Sequence, residues 1–409
     1  MINNSLWRRC GAVFTLWLWL GTSIAAPSAL SWSEATALAW QRALAARHAE
    51  GQVALAAIER DAARRWWASP PALALAAKDD RWLSDRGSQE FGAAVIWPLW
   101  LPGQRDAEGE VAAAAQQDAE AAMQLARLTL AGQVLDAGET LTTASTDHEL
   151  LQRHQQMLQQ LQLDVSRRVT AGELPTTDLL AMDAELLSAQ AAVISAQQGL
   201  QQAHRHWQLL VGSPLLPAFG AGLAPPPAGD NHLSQHPAML LATASVALAR
   251  AEYGRDRIAT RDAPELTLGW TGEQADALAA TDHSLALELR IPFGSADRNL
   301  PRQTQSAQRL LLAEAEQQQL AERLTAELAS ARDARAAAEQ HYQLSSKRCA
   351  ALQQRSGLVR RAFDAGELPL ADALRAETDA VSGCRQMMRD EALGQLSHAR
   401  YHLALGQLP

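Results

Sequence analysis

The stretch Ala171-Gly172-Glu173-Leu174-Pro175 decides the fold, because the chain contains it twice. It recurs as Ala365-Gly366-Glu367-Leu368-Pro369, 194 residues later (366 − 172 = 194). The same offset aligns Gly212 with Gly406, close to the end of the chain. One offset that holds over so much of a sequence indicates a tandem duplication, so the protein is built from two similar halves.

Each copy of this stretch is typical of a helix that ends and is followed at once by another helix. Gly172 and Gly366 suit the left-handed residue that terminates a helix. Pro175 and Pro369 suit the first position of the next helix, where no amide donor is needed. Each half also carries a carboxylate near the positive end of this new helix, where negative charge is favoured; these residues are Asp178 and Asp372. The sequence therefore predicts two helical hairpins, with turns at 171–175 and 365–369.

Helical patterns surround both turns and extend far along the chain. They cover 31–67, 104–170 and 176–208 in the first half, and 235–260, 299–364 and 370–405 in the second. A helix of about 65 residues is roughly 100 Å long, which exceeds the size of a globular domain. The hydrophobic content of 47% includes only 5% aromatic residues, a composition that suits long, closely packed helices. A proline-containing linker, 213–231, separates a first repeat at 27–212 from a second at 232–409.

Two pairs of short strands are predicted, at about 71–97 and about 265–292. In the second pair, Leu266, Leu268 and Trp270 share one face of a strand, while the alternate residues are mostly polar or small. Such alternation is typical of transmembrane β-strands, which are apolar toward lipid and polar toward the lumen. A half-buried hairpin on a soluble domain has the same pattern, and alternation alone leaves both interpretations open.

Four tryptophans favour the membrane interpretation. Trp66 and Trp67 precede the first strand, and Trp97 and Trp100 lie at the end of the second, which is the same end of a hairpin. Aromatic residues concentrate in this way at membrane interfaces. Four strands cannot close a barrel, and an open strand edge is not stable in lipid. Membrane insertion would therefore require several copies to share one barrel.

The N-terminus predicts export. Arg8 and Arg9 precede an apolar stretch at 11–20 and small residues at 23–26, which is the pattern of a cleaved signal peptide, 1–26. The apolar stretch is too short to span a bilayer. With a net charge of −9, the protein is a poor candidate for nucleic-acid binding.

Together, the signal peptide, the duplicated halves, the strand pairs and the Arg-x3-Ala-Gly-Glu turns resemble the TolC-like outer-membrane efflux family, over residues 27–409. The resemblance implies a mainly α-helical homotrimer. In it, four strands per protomer contribute to a shared twelve-stranded β-barrel in outer-membrane lipid, and the hairpins form a periplasmic tunnel. It also implies passive conduction of solutes that an inner-membrane pump of the RND type exports through a periplasmic adaptor protein. The Gly-Glu turn and the chain length look most like the Czc-type branch, which exports heavy-metal cations. A periplasmic coiled-coil adaptor or scaffold is the alternative, since adaptors also carry long helical hairpins.

A gate and an adaptor-docking surface are expected at the two turns. Arg167 and Arg361 lie close enough to the turns to pair with carboxylates on an adjoining hairpin and hold the tunnel shut. Around a trimer, carboxylates at the constriction would form a negative ring that favours cations; the candidates are Glu173, Asp178, Glu367 and Asp372. For each charged residue, a purely structural role in a hairpin turn is the alternative.

Two cysteines frame the second turn. Cys349 lies 18 residues before Glu367 (367 − 349 = 18), and Cys384 lies 17 residues after it (384 − 367 = 17). A hairpin folded at that turn brings them side by side, and the oxidising periplasm favours a disulfide. Two free, buried thiols are the alternative.

No motif in the sequence indicates catalysis, a cofactor or a resident metal ion. His398 and His402 have helical spacing, and the pairs His204–His206 and His232–His236 are further candidates. None of these belongs to a clustered set of ligands or to a His-Glu-x-x-His helix. We therefore expect neither an enzyme nor a metalloprotein.

Overall fold

A computed structural model describes residues 30–80, 87–218, 233–259, 262–276, 278–293 and 296–408. The signal peptide expected at 1–26 lies outside these residues, as does most of the linker expected at 213–231.

Seven helices are present in the described part of the chain. They are α1 (Trp32–Arg42), α2 (Leu44–Ala63), α3 (Gln104–Thr170), α4 (Thr176–Val211), α5 (Pro237–Ile258), α6 (Ala296–Asp364) and α7 (Leu370–Ala404). The single helix predicted over 31–67 is wrong, because the chain is extended at Ala43, with φ −66° and ψ 133°. The break lets α1 pack on both α3 and α4, while α2 packs along α3.

The long helices form two antiparallel hairpins, α3–α4 and α6–α7, as the sequence predicted. Helix α3 also packs on α7, so the four helices lie in the order α4, α3, α7, α6. Helices α4 and α6 are therefore the two edges of this layer. Helix α5 packs between α3 and α6 near the start of both.

Six strands are present in the described part. They are β1 (Leu30–Ser31), β2 (Ala72–Asp79), β3 (Gln89–Pro98), β4 (Pro217–Ala218), β5 (Glu265–Gln274) and β6 (Asp282–Arg290). Strands β2, β3, β5 and β6 form one antiparallel sheet in that order, so the β3–β5 pair joins the two repeats. The short strands β1 and β4 pair in parallel and fix the start of α1 beside the chain that leaves α4.

Buried side chains gather in two places along the helical layer. One cluster surrounds Trp207 and joins α1, α3, α4 and α7. Within it, Trp32 donates a hydrogen bond from Nε1 to the Ala131 carbonyl at 3.1 Å. The other cluster lies near the two turns and surrounds Phe363. The layer is thus held together around Trp207 and again near the two turns.

Helix α4 is long and apolar enough to cross a membrane, yet only 17% of its most apolar window is buried within the chain. Its exposed residues Leu180, Leu187 and Ile194 recur at intervals of seven. A heptad spacing is typical of a helix that packs against another helix. This edge of the layer therefore has an apolar seam that the chain itself does not cover.

Candidate functional site: the strand sheet and the two helical turns

The four-stranded sheet has one continuous apolar face. Its register places Leu73, Val95, Leu268 and Leu287 in one row across all four strands. The next row consists of Leu75, Ala93, Trp270 and Leu285, of which Leu75 and Leu285 are 75% and 78% exposed. Neighbouring residues on the opposite face are small, including Ala74, Ala94, Gly269 and Ala286. The sheet therefore presents an uncovered hydrophobic surface on one side and a small or polar surface on the other.

The polar face carries an acidic row toward the ends of the strands furthest from α3 and α6. Lys78, Glu90, Glu273 and Asp282 are aligned there across the four strands. The Lys78 ammonium lies 3.0 Å from a Glu90 carboxylate oxygen. The row holds three acidic side chains and one basic side chain, so it has a net negative charge.

The four predicted tryptophans gather at the opposite end of the sheet, where the strands meet the helices. The rings of Trp67 and Trp97 lie 6.3 Å apart. Trp66 is exposed, and the Arg105 guanidinium lies 5.7 Å from the centre of its ring. Trp100 donates a hydrogen bond to the Arg65 carbonyl at 3.2 Å. The structure therefore brings these tryptophans to one level of the molecule.

The two helical turns have matching geometry. Gly172 and Gly366 adopt φ values of 78° and 77°, which residues with a side chain rarely adopt. The Glu173 amide donates to the Arg168 carbonyl at 2.8 Å, and the Glu367 amide makes the equivalent bond to Ala362 at the same distance. These bonds satisfy carbonyls that the ending helix leaves free. Both glutamate side chains are exposed at the tip.

The two prolines lie one residue earlier than predicted. Pro175 and Pro369 are extended and immediately precede the first residues of α4 and α7. Their carbonyls accept hydrogen bonds from the amides of Asp178 and Asp372, at 3.1 and 3.2 Å. The proline carbonyl therefore closes the first turn of the helix from the residue that precedes it.

At the tip, an arginine that connects the two hairpins is Arg168, the neighbour of the predicted Arg167. Within the described residues Arg167 is exposed and forms no ion pair, and Arg361 donates only to the Gly357 carbonyl of its own helix, at 3.3 Å. The Arg168 guanidinium lies 3.7 Å from the Asp364 carboxylate and 5.3 Å from the centre of the Phe363 ring. Successive helix residues differ in direction by about 100°, so only one of two adjacent arginines faces α6.

Apolar contacts support this connection at the tip. Phe363 and Leu370 are almost fully buried in the second hairpin. They belong to the same cluster as Leu161, Val165 and Met182 of the first hairpin. The tips of the two hairpins are therefore packed together in this structure.

Further from the tip, a group of ion pairs joins α3 to α7. Asp147 accepts two hydrogen bonds from Arg385, at 3.0 and 2.8 Å, and one from Arg389, at 2.9 Å. Burial alone would raise the pKa of Asp147, but the hydrogen bonds from these arginines outweigh it and hold the pKa below its usual value. We call Asp147, Arg385 and Arg389 the inter-hairpin junction.

A cavity of about 180 Å³ separates the hairpins between this junction and the tip. His154 and Met157 line it from α3, and Glu377 and Cys384 line it from α7. His154 is only 8% exposed, and its Nδ1 has no hydrogen-bond partner among the described residues. Burial lowers the pKa of His154, although the charges of Glu377 and Glu185 act in the opposite direction. The seam between the hairpins is loosely packed at this level.

Cys349 and Cys384 are joined by a disulfide that connects α6 to α7. Their Cα atoms lie 4.6 Å apart, and both residues are buried.

Two of the candidate histidines have other partners, and His232 lies outside the described residues. His402 lies 2.7 Å from Gln407 through its Nδ1, and His236 accepts a hydrogen bond from the Ala238 amide and so caps α5. In the described part of the chain, no three His, Cys, Asp or Glu side chains are grouped so that they could hold a metal ion.

Several solved channel structures resemble this architecture over almost its whole length. CusC, studied for the conformational changes that accompany folding and transmembrane channel formation, is 18% identical, with a TM-score of 0.77 and 93% coverage of both chains. The CmeC outer-membrane channel of Campylobacter jejuni is 14% identical, with a TM-score of 0.75 over 92% of this chain and 85% of that one. The open MtrE outer-membrane channel of Neisseria gonorrhoeae is 19% identical, with a TM-score of 0.75 over 92% and 89%.

No protein-family model and no curated protein sequence matches the chain. The similarity therefore lies in the structure, and it defines the class of fold. This chain has the fold of the TolC-like outer-membrane channels, as its repeated turns and strand pairs predicted.

Proposed function

We propose that this protein is the outer-membrane channel of a tripartite efflux system, and that it passively conducts solutes through a homotrimer. The observation that carries this proposal is the uncovered apolar face of a sheet whose outer strands, β2 and β6, have no further strand partner among the described residues. Such a surface needs lipid, and such edges need other strands. Three copies of the sheet would supply twelve strands and close a barrel.

The helical layer supports the same assembly. Its edges are α4 and α6, and α4 carries the exposed heptad seam of Leu180, Leu187 and Ile194. Helix α6 has exposed leucines of its own, at Leu311, Leu344 and Leu358. Contact between α4 of one protomer and α6 of the next would cover both surfaces and continue the barrel as a closed tunnel.

In this assembly the tips of the hairpins are the periplasmic gate. The Arg168–Phe363 contact and the buried cluster around it hold the hairpins together, so separating them would widen the constriction. The exposed carboxylates Glu173 and Glu367 lie at the turns themselves, where an adaptor protein would dock. Asp178 and Asp372 lie one turn further along, where Asp372 pairs with Arg375 at 3.5 Å.

The tryptophans then lie at the inner interface of the outer membrane. Trp66, Trp67, Trp97 and Trp100 share the level at which the sheet meets the helices. Indole groups are favoured in the headgroup region, which is both apolar and polar.

The cargo that the charges favour is a cation. The barrel row has three carboxylates against the single positive charge of Lys78, and Glu173 and Glu367 add exposed carboxylates at the tip. Rings of carboxylates favour cations and repel anions. An adjoining pump of the RND type would supply the energy, and divalent heavy-metal ions are the cargo that the Czc-type resemblance suggests.

Fractionation of cells that produce the full chain tests the channel proposal. We expect an oligomer in the outer membrane that needs detergent for extraction and changes its mobility on heating. Recovery as a soluble periplasmic protein would instead support the adaptor or scaffold alternative.

Growth of a deletion strain tests the cargo. With the pump intact and redundant channels left in place, sensitivity confined to zinc, cobalt, cadmium or copper supports cation efflux. Sensitivity to dyes, detergents or antibiotics would retain the channel and contradict the metal assignment.

A further inference from the structure

The two hairpins are held together internally in different ways. In the first hairpin, α4 contributes Met182, Leu186 and Ala189 to the buried seam. The 194-residue offset aligns these three positions with smaller residues of α7: Ala376, Ala380 and Gly383. At these three positions the second hairpin therefore has smaller apolar side chains than the first, and apolar burial is what normally holds such helices together.

Small residues let α6 and α7 approach closely. A methyl group at Gly383 would collide with the Leu352 side chain of α6. Around this point the contacts between the helices are largely polar, as in the hydrogen bond from Ser356 to Glu377 and the exposed ion pair of Arg355 with Asp379. Exposed ion pairs contribute little to stability. The disulfide is thus the strongest connection between α6 and α7 in this region.

The disulfide also lies between two places where the second hairpin contacts the first. At the tip, the first hairpin contacts Phe363 and Asp364 of α6 and also Leu370 of α7. At the inter-hairpin junction it is connected to α7, through Arg385 and Arg389. Cys384 directly precedes Arg385 in the chain. A displacement of α6 at the tip reaches the junction on α7 most directly when the disulfide holds the two helices together beside Arg385.

We propose that the Cys349–Cys384 disulfide makes the second hairpin move as one rigid arm, which pivots at the inter-hairpin junction when the tip opens. This inference rests on the proposed function as a gated channel. The cavity beside the disulfide leaves the seam with the first hairpin loose, so motion between the hairpins meets little packed surface there. The disulfide thereby holds α6 and α7 together, while the cavity leaves the contact between this arm and the first hairpin loosely packed.

Hydrogen exchange of the full-length trimer in lipid nanodiscs tests the stiffness of the arm. We expect the double substitution Cys349→Ser with Cys384→Ser to increase amide exchange in α6 between the disulfide and the tip by about tenfold or more, because local opening then meets less resistance. The amides of α3 should be unchanged. The matched control is Gln155→Ser with Gln190→Ser, at the equivalent positions of the first hairpin, which should change neither hairpin. Equal exchange of α6 with and without the disulfide would overturn the proposal.

Single-channel conductance tests the coupling to the gate. Arg168→Ala should raise the open probability of the disulfide-bonded protein, and this gain should fall at least about threefold when the disulfide is absent, because α6 then moves without α7. The same gain in both backgrounds would contradict the rigid arm.

Two further measurements keep the test decisive. If the double serine variant does not assemble, wild-type trimer reduced with dithiothreitol replaces it, with the two thiols counted by mass spectrometry. In that reaction the disulfide gains two electrons and two protons, and dithiothreitol becomes a cyclic disulfide. If the wild-type protein conducts no current at all, the channel proposal fails, while the exchange experiment still decides the role of the disulfide.

Discussion

The two hairpins have turns of the same geometry, but different side chains pack between their helices next to those turns. Both turns end a helix with a left-handed glycine, and their φ values agree within a degree. Behind the first turn, large side chains such as Leu158, Leu161 and Met182 fill the seam. Behind the second, Arg355 and Ala376 occupy the positions equivalent to Leu161 and Met182, and a disulfide joins the two helices. Duplication therefore preserved the local geometry of the turn, while the residues that hold each hairpin together diverged.

This divergence suits two different tasks. A seam of large, interdigitated side chains resists any relative motion of its helices. A narrow seam with one covalent link keeps two helices together while burying little surface. The first hairpin would therefore act as the fixed wall of the tunnel and the second as its moving part.

The largest difference is expected from equivalent substitutions in the two seams. Leu161→Ala should cost about 2–5 kcal/mol of unfolding free energy, since a buried leucine leaves a cavity. The equivalent residue of the second hairpin is Arg355, which is exposed and paired with Asp379. Arg355→Ala should cost less than about 1 kcal/mol. Denaturant titration of the detergent-solubilised protein measures both, and equal losses would contradict the comparison.

A smaller effect is expected at the inter-hairpin junction. Asp147→Asn should weaken the hydrogen bonds from Arg385 and Arg389 and cost about 1–2 kcal/mol, a value reduced because both arginines are partly exposed. Asp379→Asn, in an exposed pair inside the second hairpin, is the control and should cost less than about 1 kcal/mol.

The Asp147 effect should also depend on pH. Its pKa is lowered in the folded protein, so the stabilisation is present above the usual carboxyl pKa and is lost as the pH falls through the lower folded value. The difference between wild type and Asp147→Asn should therefore shrink below about pH 4. A difference that stays constant down to pH 2 would show that the charge of Asp147 is not what holds the junction.

At the tip, the comparison is between two neighbouring arginines. Arg168→Ala removes the contacts with Phe363 and Asp364, which we expect to contribute about 1 kcal/mol, so the open probability of single channels should rise about fivefold. Arg167→Ala removes an exposed side chain and should leave the open probability unchanged. A larger effect of Arg167 would contradict this assignment and would favour the sequence-based prediction that Arg167 pairs with a carboxylate on an adjoining hairpin.

The smallest effect is expected at His154. Burial lowers its pKa in the closed seam, so the neutral form is favoured there, and exposure on opening would return the pKa toward about 6.5. Closed packing is then fully stable above that pH and weakens as the pH falls. Glu377 and Glu185 attract the protonated ring and limit the effect to about 1 kcal/mol or less. Hydrogen exchange along α7 at pH 7.5 and 5.5 measures it, and His154→Gln should abolish the difference.

Local patterns made the architecture predictable. The glycine-proline spacing located both turns, because helix termination depends on only a few residues. The alternation in β5 and β6 predicted which residues share a face, and the register confirms Leu266, Leu268 and Trp270 on one side. The nearly equal distances of Cys349 and Cys384 from the turn, 18 and 17 residues, also predicted that the two cysteines meet.

Contacts between hairpins were not predictable in the same way. The choice between Arg167 and Arg168 depends on the rotation of α3 relative to α6, and one residue changes that direction by about 100°. The junction of Asp147 with Arg385 joins residues 238 positions apart, and no local pattern connects them. Phe363 offered the one usable signal, since phenylalanine occurs only five times in the chain and this one lies beside a turn.

The central claim is that the apolar sheet forms a barrel continued by a gated tunnel. Reconstitution of the purified full-length protein into planar lipid bilayers tests it most directly. The account predicts discrete conductance steps that select cations over anions and that become larger or more frequent in Arg168→Ala. A protein that inserts without any conductance, or that stays soluble without detergent, would contradict it.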